Sequence, residues 1–421
     1  MSMKRTLLLL PFLFLFFLPS FSQPKLMVFL DCSNTGCDWN YIRTELPVVN
    51  YSRDRIASDV HVLITNQWNG SGGREYQMIF YGQNEFASCV DTISYKTKFN
   101  STEFELRQAM VTNLKVGLVP FLIKNGQLDL IKVEFGEVQD TTEHNVEQED
   151  PWNYWSIRLG ANGNIGIDQN YTSTRLGGSI RSSQVTDEKK VVFSVFGNEN
   201  NSEYTYVNDS GFTEKTLVIN HEYGFDHMNI WSMGEKWALG YEVGYFSNTF
   251  NNFKNVYYAS PSIEYNLFPY SDVNNKMLTL RYGIGASQNE YIDTTLYNKT
   301  AEFVGAEYLS LTSRFNQKWG NIETRLKYQH YFHDLALNNL SFNSDIEVRV
   351  TGGLSFNIYL WGALVHDQIY LPKGDANAEQ VLTRQRALAS SFNFRTYFGF
   401  NYRFGSKLNN FVNPRFGSRG F

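Results

Sequence analysis

FNFRTYFGFNYRFG, residues 392–405, is the stretch whose reading decides the fold. Successive side chains of a strand point to opposite faces, so Phe392, Phe394, Phe398, Phe400, Tyr402 and Phe404 share one face. The other carries Asn393, Arg395, Asn401 and Arg403, with the small Gly399 among them. A soluble sandwich that buried both sides would have to bury unpaired guanidinium groups, at a cost of several kcal/mol. One face suits an apolar solvent and the other suits water.

The same alternation recurs upstream. Trp155, Ile157, Leu159, Ala161, Ile165 and Ile167 interleave with Ser156, Arg158, Asn162, Asn164 and Asp168. Trp237, Leu239, Tyr241, Val243 and Tyr245 oppose Lys236, Gly240, Glu242 and Gly244, and Leu278, Leu280, Tyr282 and Ile284 oppose Thr279 and Arg281. Ile322, Leu326, Tyr328 and Phe332 face away from Glu323, Arg325 and Lys327; Ile346, Val348 and Val350 face away from Asp345, Glu347 and Arg349. With Leu354, Phe356, Ile358 and Leu360, and less regular segments near 170–184, 187–199, 213–230, 251–268 and 300–316, the count is about twelve strands, to within one hairpin. Short connections (QVTDEK, SMGEK, KWGN, TGG) and long ones (GNENNSEYTYVNDSG, ASQNEYIDTTLYNKT, PKGDANAEQVLTRQ) fall on opposite sides, as they do at the two rims of a bacterial barrel. FPYSDVNNK alone is longer than that scheme wants.

The pattern predicts a mostly β chain: an antiparallel transmembrane β-barrel of about twelve strands over residues 151–404, preceded by a small α+β domain. Its aromatic face meets membrane lipid, and closure of the sheet pairs every backbone group. The lumen then receives Arg158, Glu242, Glu264, Arg281, Glu323, Arg325, Lys327, Asp345, Glu347, Arg349, Arg395 and Arg403. A lipocalin-like cup would place apolar residues inside, the reverse of this arrangement. Mixed charges in such a bore either bridge it shut or leave a narrow polar, porin-like passage.

The rest of the chain fits export. Lys4 and Arg5 precede LLLLPFLFLFFLP, and Ser20-Phe21-Ser22 supplies small residues for cleavage before Gln23, so residues 1–22 read as a secretory signal. No later run of about 18 apolar residues can cross a membrane as a helix. Mean hydropathy is −0.35 although aromatics make up 16 % of residues, the profile of strands that are only half apolar. A net charge of −5 without a basic tract excludes a nucleic-acid partner.

Residues 23–138 mix periods. Asp59–Thr65 and REYQMIFYG read as a hairpin turning through Gly70, Gly72 and Gly73; Thr102 and Glu105 form a capping box before the helically spaced Leu106, Met110 and Leu114. GSGG joins strands rather than opening a helix, so it is no phosphate loop. Arg53, Asp54 and Arg55 form either a docking patch or an ordinary surface turn. QDTTEHNVEQED, within residues 139–150, reads as an acidic linker, and residues 405–421 as a C-terminal tail. Cys32 and Cys37 suit a disulfide in an oxidising compartment, or stand with Cys89 as small core residues. Two cysteines without further ligands make no metal site. No cofactor is expected. His333-Asp334 and His366-Asp367, at the outer ends of predicted strands, are the most enzyme-like feature, and adjacent strand residues point apart.

Tyr397-x-Gly399-x-x-Tyr402-x-Phe404 is similar to the signal that barrel assembly machinery reads in the last strand of outer-membrane barrels, although this chain continues past it. With DCxxxxCDWNYIRTELPVVNYSRDR, DVHVLIT, NYRFGS and NNFVNPRF, nearly the whole mature chain resembles a group of outer-membrane barrel proteins of the Bacteroidota. The resemblance implies an outer-membrane location with the N-terminal domain in the periplasm, and it implies no activity. The expectation is a non-enzymatic narrow channel, or a platform docking a periplasmic protein partner; the alternative is a hydrolase using the rim His-Asp groups.

Overall fold

The computed structural model describes residues 25–32, 35–68, 73–98, 100–132, 150–207, 211–350, 354–374, 380, 387–402 and 404. The signal segment 1–22, the turn residues Gly70 and Gly72, the linker before Asp150, the TGG turn, Arg403 and the tail 405–421 lie outside the described residues.

The N-terminal region is the expected α+β unit. In it β1 (Met27–Asp31) pairs in parallel with β2 (Asn50–Tyr51) and β3 (Val60–Trp68). Antiparallel ladders then join β3 to β4 (Arg74–Gly82) and β4 to β5 (Val90–Lys96). Two helices, α1 (Trp39–Glu45) and α2 (Glu103–Lys124), accompany the sheet. α2 begins at the expected box: Thr102 accepts from the Glu105 amide, and the Glu105 carboxylate accepts from the Thr102 amide. Its Met110, Leu114, Leu118 and Phe121 are buried with Val28, Val62, Met78 and Phe80 of the sheet. Gly117 is required there, since a Cβ on it would lie 2.1 Å from the Phe80 ring.

The opposite face of this sheet is buried too. His61, Leu63 and Ile79 have the other parity from Val62 and Phe80, yet each is under 9 % exposed. Burial on both faces explains why DVHVLIT reads as a continuous apolar run rather than an alternation.

Twelve antiparallel strands follow as a meander: β6 (Trp155–Asp168), β7 (Tyr171–Val185), β8 (Lys189–Val207), β9 (Thr213–Met233), β10 (Trp237–Asn248), β11 (Phe253–Asn266), β12 (Lys276–Tyr291), β13 (Ala301–Gln317), β14 (Gly320–Tyr331), β15 (Asp334–Arg349), β16 (Leu354–Val365) and β17 (Phe392–Tyr402). The strand count and the opening stretch, now β17, agree with the sequence reading. Two long connections differ, and in ASQNEYIDTTLYNKT residues 286–291 belong to β12. Much of GNENNSEYTYVNDSG is strand, because the β8–β9 ladder continues out to Val207↔Thr213 as a tall hairpin.

The sheet is strongly curled. Five strand spacings separate β11 from β16, roughly 24 Å across a flat sheet. The five residues from Val365 to Tyr370 reach at most about 17 Å, yet Asn252, just before β11, donates its side-chain amide to the Tyr370 carbonyl at 2.9 Å. Apolar side chains cover the convex face, with Ile167 80 % and Phe398 77 % exposed. Consecutive strands are laddered throughout, and among the described residues no ladder joins β6 to β17.

Candidate functional site

The concave face carries the polar residues that the alternation assigns to it. Glu242, Glu264, Arg281, Arg325 and Lys327 come together around a cavity of about 500 Å³. Tyr258 donates to Asp226 at 2.5 Å, with Glu242 3.4 Å from the same hydroxyl, and Tyr270 donates to Glu264 at 2.9 Å. Other expected lumen residues stand apart from it. Glu323 pairs with Arg314 across adjacent strands at 2.9 Å, Asp345 lies opposite Glu323 in the β14–β15 ladder, and Arg395 is exposed on β17.

Below the cavity, at the short-turn rim, the N-terminal domain is docked. Asp31, whose side chain is fully buried, takes a two-point contact from Arg349 at the end of β15; the Nη2–Oδ1 arm is 2.6 Å. The same carboxylate lies 3.1 Å from His61 Nε2. Burial holds the His61 imidazole below its usual range, against the pull of Asp31 in the other direction, while Arg349 and Arg55 push the same way as burial. Glu347 stands 3.4 Å from Arg349. On the β13–β14 turn, the Lys318 carbonyl accepts from Arg55 Nη1 at 2.8 Å, and the Lys318 ammonium lies 3.5 Å from the Tyr81 ring centroid. Burial, with Arg55 alongside, keeps that amine below the usual lysine range. Arg158 lies 6.0 Å from the Trp68 ring centroid. Of the Arg53-Asp54-Arg55 stretch, Asp54 makes the local turn by accepting from the Ile56 amide at 2.9 Å, and Arg55 docks.

Above the cavity, residues 366–373 form a strap. Ile369 is 2 % exposed, packed with Val304 and Leu337 on the concave face. Asn252 holds Tyr370, Leu296 donates its amide to the Leu371 carbonyl at 2.9 Å, and Lys373 donates its amide to the Thr294 carbonyl at 2.7 Å. Three connections at the rim opposite the docked domain are thereby tied together.

The four rim candidates do not assemble into a pair. Asp367 accepts from the Asn339 amide at 3.0 Å, Asp334 caps Ala336 at 2.9 Å, and His333 stacks on Tyr331 at 5.7 Å. Among the described residues, histidine meets an acid at His61–Asp31 and at His330–Glu307, 2.9 Å apart on the convex face, where Tyr282 also donates to Glu307. Neither pair is singled out in the sequence reading. Their only sequence signal is a charge inside an apolar run, as in LMVFLD. Cys32 and Cys37 are joined in a disulfide, and Cys89 is a free, half-buried thiol. Of the assembly-signal residues, Tyr397, Tyr402 and Phe404 are exposed, and the Tyr397 hydroxyl leans over Gly399. Among the described residues no helix is long and apolar enough to cross a membrane, and no cluster of three metal-ligating side chains occurs.

No protein-family model matches the chain, and no curated protein does. Among solved structures, the β domain of the Bordetella autotransporter BrkA is similar over 59 % of this chain and 98 % of its own, at 12 % identity and a TM-score of 0.20. Similarity at that level leaves the fold to rest on the ladders themselves.

Proposed function

We propose that this chain is a non-enzymatic outer-membrane β-barrel forming a narrow, gated passage for small polar solutes, its N-terminal domain lying in the periplasm as the inner gate. One observation carries the reading: a charged cavity lies on the concave face between two closures, neither of which belongs to the wall. A wall strand cannot move without breaking a ladder, whereas the strap is held by a few hydrogen bonds and one apolar contact, and the docked domain by a few side-chain contacts. Pairing of β6 with β17 in the bilayer completes the barrel, since unpaired edges in hydrocarbon cost several kcal/mol per group.

A second reading, an envelope docking platform, has its own support. The N-terminal domain carries a cavity of about 550 Å³ lined by Trp68, Arg74, Lys98, Glu103 and Arg107, open to a periplasmic protein partner. Proteoliposomes separate the two. The gated passage requires release of a small entrapped ion to rise when Arg349→Ala is combined with removal of residues 367–372. Equal, background release from wild type and variant, both inserted, would leave the platform reading standing.

A further inference from the structure

We infer that the lumen contains a binding site for a small water-soluble anion bearing phosphate or carboxylate, formed by Arg281, Lys327 and Arg325. Arg281 on β12 and Lys327 on β14 share one level of the wall, each opposite Ser310 of β13, and Arg325 lies two residues further along the same face of β14. All three line the 500 Å³ cavity. Tyr308 fixes two of them: the Arg281 guanidinium carbon is 5.7 Å and the Lys327 ammonium 4.9 Å from its ring centroid. The ring in turn lies on bare backbone, because a Cβ on Gly283 would come within 2.5 Å of it.

Glu242 and Glu264 bring negative charge to the same cavity, but neither forms an ion pair with the cluster. Glu264 is the register partner of Arg281, but it accepts from Tyr270, and Arg281 Nε turns to Ser262 Oγ at 3.1 Å. Glu242 lies 3.4 Å from the Tyr258 hydroxyl, whose proton goes to Asp226. Among the described residues, none of the three cations has a carboxylate within 4 Å. Arg281 and Lys327 lie two strands apart across β13, and a bound anion would bridge their like charges with charge-assisted hydrogen bonds. Ser310 and Thr312 add neutral hydroxyls on the same wall. The concave face excludes lipid, so the ligand comes from solution. This inference rests on the proposed aqueous lumen and not on whether it conducts.

The test titrates inorganic phosphate calorimetrically into the full chain in a non-ionic detergent, at fixed ionic strength, with folding checked by heat-modifiable gel mobility. Saturable binding is expected, weakened at least about tenfold in Arg281→Gln/Lys327→Gln and retained in the charge-preserving Lys327→Arg. Wild type alone can overturn the site, by showing no saturable binding when folded. Binding unchanged in the folded double variant overturns it equally. Phosphate binding without any conductance would refute the passage and keep the site; conductance without phosphate binding would do the opposite.

Discussion

Asp31 is the residue on which the docked arrangement turns. A fully buried carboxylate is tolerable only with a well-placed partner, and removing one member of such a pair costs about 3–5 kcal/mol. Arg349→Ala should therefore release the N-terminal domain, seen as faster cleavage by added protease and faster amide exchange in β3. Asp31→Ala/Arg349→Ala, which leaves no orphan charge, should recover part of the protection. His61 gives the latch a pH dependence. Its folded value lies below its ordinary 6.5, so the unfolded chain binds the proton more readily. Stability from this group is complete above about pH 6.5 and falls as the pH drops below it, by at most about 1.4 kcal/mol per pH unit. Denaturant midpoints at pH 8, 6.5 and 5 check this, and His61→Gln should flatten the contribution. DVHVLIT was legible as a strand, but Asp31 and His61 had no visible purpose. The partner, Arg349, lies 318 positions away and reads in sequence as one more lumen charge.

At the scale of elements, the strands were legible because a half-apolar strand has period two, and that period survives almost unbroken from Trp155 to Tyr402. The strap was not. An irregular segment has no period, and its order comes from Asn252, Leu296 and Val304 on elements distant in sequence. β8 was read as ending too early because polar residues on both faces of its far half look like loop, although it ladders as well as any other. β17 is the element to test. Phe398→Arg, on the convex face, should cost about 2–4 kcal/mol in a bilayer, measured by urea titration of heat-modifiable mobility, while Asn401→Arg on the other face should be close to neutral. Closure makes a separate demand. In lipid, amides of β6 and β17 should exchange as slowly as those of β7 and β16; fast exchange confined to the two end strands would show an open seam.

At the scale of the whole molecule, the N-terminal domain is docked at the short-turn rim of the sheet and the strap lies across the opposite rim. The composition of the lumen was legible from parity alone, but whether it was open was not, since that depends on contacts between segments with no local signature. Single-channel recording of the refolded full chain, beside Arg349→Ala lacking residues 367–372, tests the gated passage most directly. Wild type should be closed for most of the record, and the variant should give long, ion-selective open steps. A variant shown to be folded and inserted, yet silent at every potential, would contradict it.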